Sequence, residues 1–485
     1  MGRQKIQGDY PDRLIPGQGE EMKNRLIVLI LAERGGAGSP SMVPMALRPL
    51  LGTSSLRLTL EAVRKIRPAR MLVASGSGIP DAGIEIGSRT AGQNPAAALR
   101  AVRKELSRDP DGDVLLAPAD TPLIRADVLK TLVSRHRKRA DAGTILSVLE
   151  TVPSGFGRIV REDEGRIRIA AERKAVSPLG RPVETVTGFA VFRIGELLRI
   201  WPRIAKAGDA GGFSLSGAVA ALSAAGRSVG VFQATDPEDY LRLKTNYDLG
   251  RAADLLRLRK IRTLAESGVE ILSPATTWID FGVVIGHGTV VYPGAVIEGS
   301  TVVGRNGRIF PGAHIVDAVL GDDVHVLSST VIEKAVVEND VRIGPFARIR
   351  MNTILRPGSR VGNFVEMKKT DFGPKAKAMH LSYLGDSEVG ESANIGAGTI
   401  TCNFDGVNKN RTVIGAGAFI GSGSELIAPV RIGRGAYVAA GSVITKDVAD
   451  DALAVARGHQ VERPGWAAAR RAKTAKSATS KPKSE

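Results

Sequence analysis

Ile285-Gly286-His287-Gly288-Thr289-Val290, Val291-Tyr292-Pro293-Gly294-Ala295-Val296 and Ile297-Glu298-Gly299-Ser300-Thr301-Val302 follow one another without a gap and in one register. An aliphatic residue opens each group of six and a small residue stands four places later. The register returns at Ile343-Gly344-Pro345-Phe346-Ala347-Arg348 and runs from Ile414 through Ile420, Leu426, Ile432, Val438 and Ile444. A six-residue period fits one short strand and one turn. The aliphatic side chain points inward, the small residue fits a tight interior, and glycine opens turn conformations closed to other residues. Coils so built stack ~4.8 Å apart as a three-faced parallel β-helix. Its core is thin and aliphatic, which accounts for 56 Gly beside only 4% aromatic residues.

Working outward, 485 residues at about 150 per domain suggest three domain equivalents. Residues 25–250 alternate short apolar runs (RLIVLILA, RMLVAS, DVLLAPAD) with amphipathic stretches (LRLTLEAVRKI, ADVLKTLVSRH). That alternation predicts an α/β domain, a parallel or mixed sheet with helices on both faces, whose ligands bind at the carboxyl ends of strands. Asp120 follows such a run and is a candidate metal or ligand contact; an Asx turn or helix cap in Asp-Thr-Pro is the alternative. Residues 251–273 read as a helical linker, 274–458 as the β-helix, 1–24 as an N-terminal extension and 459–485 as a basic tail without structure. From Arg470 onward, Arg470, Arg471, Lys473, Lys476, Lys481 and Lys483 face only Glu485, so a nucleic-acid or membrane contact is the competing reading for the tail.

The hydrophobic share of 43% and charged share of 24% exclude wholesale disorder. Cys402 is the single cysteine, so no disulfide framework is expected and a reducing, cytoplasmic setting follows. The apolar run 26–32 is too short for a membrane span. The charge of +17 is compatible with phosphate-bearing ligands or with nucleic acid, and the absence of aromatics interleaved with the cations from Arg470 onward argues against the latter.

In a regular solenoid, chemistry belongs to the departures from the repeat. Two occur: GNFVEMKKTDFGPKAKAMHLSYLGD, with Lys368, Lys369, His380, Tyr383 and Asp386, and TCNFDGVNKNRT, with Asn403, Asp405, Asn408 and Lys409. Arg350, Lys368 and Lys409 suit a phosphate-bearing substrate, and His380 suits proton removal near neutral pH. His287, His314 and His325 lie within the regular repeat and are read as structural.

IGPFARIR, GNFVEMKK, HLSYLGD, NIGAGTITCNFDG and ALAVARG, in this order and spacing, resemble the acetyltransferase half of the bacterial bifunctional N-acetylglucosamine-1-phosphate uridyltransferase and glucosamine-1-phosphate acetyltransferase family. The resemblance implies a left-handed parallel β-helix that trimerises and binds acetyl-CoA between neighbouring prisms. It implies His380 as general base, Arg350, Lys368, Tyr383 and Asn394 as sugar-phosphate contacts, and Ala397, Asn403, Phe404, Ser422, Ala440 and Arg457 along acetyl-CoA. Ser422 and Asn403 would donate hydrogen bonds to a developing oxyanion. Met351-Asn352 stands where the family has Pro-Gly, and Phe404 where it has Tyr.

The N-terminal half resembles the family's uridyltransferase domain less closely. The resemblance places Mg²⁺ on Asp120 and Asn246 and the sugar nucleotide at Gly157 and Glu172, with UTP as nucleotide donor. The family's loop L-A-A-G-x-G-T-R-M followed by P-K reads here Leu31-Ala32-Glu33-Arg34-Gly35-Gly36-Ala37-Gly38-Ser39 and Pro44-Met45. Gly38 and Met45 occupy the Arg and Lys positions, Gln93-Asn94-Pro95-Ala96 replaces Q-x-G-T, and Val186 replaces an Asn. The expectation is therefore acetyl transfer from acetyl-CoA to glucosamine 1-phosphate, within UDP-N-acetylglucosamine biosynthesis, with uridyl transfer impaired or lost. The alternatives are a fully bifunctional enzyme in which Arg34 or Arg48 replaces the missing cations, and a trimeric scaffold with a non-catalytic sugar-nucleotide domain.

Overall fold

The computed structural model describes residues 25–32, 43–75, 88–91, 102–150, 157–162, 166–170, 182–206 and 214–479. The chain divides into two compact units: one takes 1–263 with 279–282, the other 264–278 with 283–485.

In the first unit, strands follow in the order Val229–Ala234, Gly143–Glu150, Val183–Arg193, Asp113–Pro118, Leu26–Ala32, Arg70–Ser75 and Ser88–Ala91. Val183–Arg193 runs antiparallel to both neighbours and the other pairs on this path are parallel, so the sheet is mixed, as expected. Leu26–Ala32 is buried along its whole length. Ile27, Leu29 and Leu31 enter one core with Leu197, Ile200, Val219 and Leu222 of the helices Ile194–Lys206 and Leu215–Ala224. Leu26, Val28 and Ile30 enter the opposite core with Leu56, Leu60, Leu129 and Leu132 of Ser55–Arg64 and Ala126–Arg139. A strand covered on both faces has no use for polar residues, hence LIVLILA. Leu26–Ala32 pairs with Arg70–Ser75 on one side and Asp113–Pro118 on the other, which makes its carboxyl end the switch point where ligands of open α/β sheets bind.

The second unit is the predicted parallel β-helix. One face is a column of strands from Glu270–Ile271 to Leu453–Ala454. In the regular stretch register partners lie 18 or 17 residues apart, as in Val290 to Arg308 and Arg308 to His325, so three six-residue units close one coil. The hexad residues Ile285, Val291, Ile297, Ile343, Ile414, Ile420, Leu426, Ile432, Val438 and Ile444 are all buried. Coils approach closely: a Cβ on Gly362 would sit 1.8 Å from the Met379 carbonyl oxygen of the next coil.

Two expectations about the ends change. The helix Asn246–Glu266 starts before the expected linker, so the boundary at 250/251 falls inside a continuous helix. Residues 466–479, expected as unstructured tail, form the exposed helix Trp466–Thr479. Alanine has the highest helix propensity, Ala467, Ala468 and Ala469 fill the first turn, and Arg470 stacks on Trp466 one turn away, 5.4 Å from the ring centroid.

Candidate active sites in the two units

In the β-helix, His380 ends the strand Lys377–His380, and its ring Nδ1 lies 2.6 Å from Asn363 Oδ1, its register partner one coil earlier. A carboxamide oxygen only accepts, so Nδ1 carries the proton and donates it. The Nε2 lone pair is left available as a base. Asn363 was not singled out in the sequence; its signal is its distance of 17 residues from His380, one coil of the solenoid.

One corner of the prism then repeats this position upward. Leu381 N–H donates to Asn363 C=O, Gly398 N–H to Leu381 C=O, Gly423 N–H to Ala397 C=O, and Gly441 N–H to Ser422 C=O. Arg457 Nη1 caps the series on the Ala440 carbonyl at 2.8 Å. His380, Ala397, Ser422, Ala440 and Arg457, scattered over 78 positions of sequence, thus share one edge of successive coils.

The cations gather on the adjoining face. Arg350 Nη1 donates to Glu366 Oε1 at 2.7 Å. Lys368 is held below the ordinary lysine range by its hydrogen-bond contact with Lys409 and by the nearby charges of Arg350 and Lys369. Such crowding of like charge is stable where an anion completes it. Lys409 is delivered by the turn 403–410: Asp405 accepts from the backbone N–H groups of Val407 and Asn408 and from Asn410 Nδ2, and these bonds keep its carboxyl low. Asn403 Nδ2 donates to Asp386 Oδ2 at 2.6 Å, so this buried amide anchors the turn and has one of its two N–H groups committed. Phe404 pairs with Lys409 across the turn and stays exposed. A cleft of about 330 Å³ runs here, lined among others by Lys369, Asp386, Lys409 and Arg411. Tyr383 lies over Gly385, where a Cβ would meet its hydroxyl at 2.5 Å. Asn394 pairs in register with Lys377.

Asn352 takes φ 60° and donates its N–H to the Lys334 carbonyl. Asparagine tolerates this left-handed conformation, so it performs the turn of the family's glycine. His314 is paired with Glu298 at 2.7 Å, in keeping with a structural role.

In the α/β unit, Asp120 follows the strand Asp113–Pro118 at the switch point. The backbone N–H of Leu243 donates to the Asp120 carbonyl at 2.8 Å, and Asn246 opens the helix Asn246–Glu266 just beyond. Asp120 Oδ2 accepts from Arg242 Nε at 2.7 Å; Oδ1 is buried without a hydrogen-bond partner among the described residues. Asn246 Oδ1 accepts from Arg48 Nη1. A carboxylate oxygen without a partner among the described residues and a carboxamide oxygen are the kinds of donor that fit Mg²⁺. Among the described residues no cluster of three or more His, Cys, Asp and Glu offers a denser metal site. Met45 is buried in the short turn Met45–Leu47, so nothing at that position reaches a phosphate. Gly157, at φ 107°, accepts the Val186 N–H on its carbonyl, and Val186 is fully buried. Arg34, Gly38, Gln93-Asn94-Pro95-Ala96 and Glu172 lie outside the described residues.

The MobA-like NTP transferase domain family matches residues 28–172, the GMPPB C-terminal domain family 279–377, and the six-repeat bacterial transferase hexapeptide family 411–446. A bifunctional protein GlmU of Thermotoga petrophila is 40% identical over 444 residues, covering 90% of this chain and 98% of that one. The bifunctional protein GlmU of Trichlorobacter lovleyi is 35% identical over 447 residues, covering 90% and 97%. The chain belongs to the bifunctional GlmU family. This GlmU-family chain is a transferase with a nucleotidyltransferase half and a hexapeptide acyltransferase half. The expectation of lost uridyl transfer gives way to the bifunctional alternative, because the family match spans both halves and the NTP transferase match runs through the altered loop. Among the described residues no helix is long and apolar enough to cross a membrane.

Proposed function

We propose that this enzyme acetylates glucosamine 1-phosphate with acetyl-CoA and then transfers uridylate from UTP to the product, N-acetylglucosamine 1-phosphate. The alignment of His380, Ala397, Ser422, Ala440 and Arg457 on one prism edge carries the reading, since an extended acyl carrier lying along that edge brings its thioester to His380. Arg350, Lys368 and Lys409 hold the sugar phosphate, with Tyr383 and Asn394 beside it. Nε2 of His380 takes a proton from the sugar ammonium. The freed amine attacks the thioester carbonyl, the C–N bond forms, the C–S bond breaks, and the departing thiolate takes a proton. No covalent enzyme intermediate is needed; orientation and one base suffice. Ser422 and the remaining N–H of Asn403 are the donors proposed for the oxyanion.

In the other half, a phosphate oxygen of the acetylated sugar attacks the α-phosphorus of UTP and pyrophosphate leaves. Asp120 and Asn246 would hold Mg²⁺, which when bound neutralises phosphate oxygens. Gly157 and Glu172 are proposed to contact the sugar nucleotide. A homotrimer in the cytoplasm is part of the same reading: Phe346 and Phe364, stacked with centroids 5.4 Å apart, are 52% and 55% exposed, and apolar columns of this kind mark interfaces. Two assays test the proposal. Thiol release from acetyl-CoA must depend on glucosamine 1-phosphate, and pyrophosphate release from UTP must depend on N-acetylglucosamine 1-phosphate and Mg²⁺. Absence of either removes the corresponding half.

A further inference from the structure

The nucleotide site of a uridyltransferase must neutralise a triphosphate, yet this chain has Gly38 and Met45 where the family resemblance places an Arg and a Lys, and Met45 is buried. Two other guanidinium groups stand on the oxygens that would hold the metal. Arg242 donates through Nε to Asp120 Oδ2 at 2.7 Å, and both side chains are largely buried, at 17% and 16% exposure. Arg48 donates through Nη1 to Asn246 Oδ1. The two arginines come from different segments, one before the helix Ser55–Arg64 and one before the helix Asn246–Glu266, and converge on the carboxyl-end pole of the sheet. A surface lysine scattered at random would not seek a carboxamide oxygen. A half-buried carboxylate such as Asp120 needs a cation when no metal is present, because an unpaired charge there is costly.

We propose that Arg48 and Arg242 are the triphosphate cations of this enzyme, standing in for the missing pair. In the structure they donate to Asn246 and Asp120. When a nucleoside triphosphate enters with its divalent cation, Asp120 and Asn246 would hold the cation and the guanidinium groups turn to the phosphate oxygens, which they match bidentately. Asp120 Oδ1, buried and without a partner among the described residues, is the oxygen that would hold the cation. The inference rests on the reading of the N-terminal half as a uridyltransferase and assigns the residues that serve its polyphosphate.

The arrangement makes the two affinities move in opposite directions. In Arg242→Gln the full-length protein should bind Mn²⁺ alone more tightly, about tenfold by electron paramagnetic resonance titration, because a competing cation has gone. The same variant should bind UTP with Mg²⁺ more weakly, about tenfold or more by calorimetry, because a phosphate partner has gone. Arg48→Gln should show the same crossover more mildly, and Arg242→Lys should restore part of the UTP affinity. If Arg242→Gln lowers the melting temperature sharply, Arg48→Gln carries the test. Loss of both affinities together, or no change in either, overturns the proposal and leaves the arginines as structural. Neither titration needs turnover: if the variants show the crossover but the wild type releases no pyrophosphate, the arginine assignment stands and the uridyl-transfer reading is removed. Turnover without the crossover does the reverse.

Discussion

At the scale of single residues, the hydrogen bond between His380 and Asn363 leaves Nε2 as the nitrogen for the proposed base. Replacing Asn363 by Ala should lower kcat for acetyl transfer by roughly 10–100-fold while His380 remains, because the ring loses its tautomer and its orientation. Asn363→Asp should move the acidic limb of the kcat/KM profile to higher pH, since a carboxylate beside the ring favours its protonated, non-basic form. A profile unchanged in Asn363→Asp would exclude this contact from catalysis. The lowered Lys368 has a separate consequence. Its hydrogen-bond contact with Lys409, reinforced by Arg350 and Lys369, makes it give up its proton before an ordinary lysine does. The charge is present at neutral pH and lost as pH rises, so the KM for glucosamine 1-phosphate should climb on the alkaline side. Lys368→Arg, whose charge persists, should flatten that climb.

At the scale of elements, the coil is the unit that carries both stability and chemistry. Each buried hexad aliphatic contributes about 1.5–3 kcal/mol by removal from water, and the same stacking sets the spacing of the site residues. Gly362 marks the closest approach of coils next to Asn363 and His380. Gly362→Ala should destabilise the protein by about 3 kcal/mol, measured by chemical denaturation, and should reduce acetyl transfer as well, because the added Cβ pushes apart the coils that bring Asn363 to His380. Asn352 makes the complementary point. Gly in its place should be nearly neutral, and Val should cost about 1–2 kcal/mol, because the left-handed turn is closed to a β-branched residue. The helix Trp466–Thr479 shows where composition misleads: a run of Lys, Ser and Thr suggests a structureless tail, yet the interspersed alanines make it helical.

At the scale of the whole molecule, two units with separate cores carry two separate sites. His380→Ala should lower acetyl transfer by about 10²–10⁴-fold and leave pyrophosphate release within twofold of wild type, and Asp120→Ala should do the converse. Cross-inactivation in either direction would mean that the halves are coupled. The β-helix was legible because its period is local: one aliphatic residue in six needs no knowledge of what lies beyond the next turn. The alternating pattern of the first unit was legible for the same reason; His380, Arg350 and Lys368 were picked out because the letters around 361–389 depart from the hexad, but the expected inserted loop there is not one, since its strands keep the coil register of 17–18 residues. Asn363 and the prism edge shared with Ser422, Ala440 and Arg457 were not legible, because stacking joins residues one coil or more apart through backbone bonds that leave no mark on neighbouring letters. The nucleotide half shows the difference most sharply. Its sequence determined that two loop cations are absent. Only the tertiary structure decided that two others, Arg48 and Arg242, reach Asn246 and Asp120 from elsewhere, because charge acts across space and not along the chain.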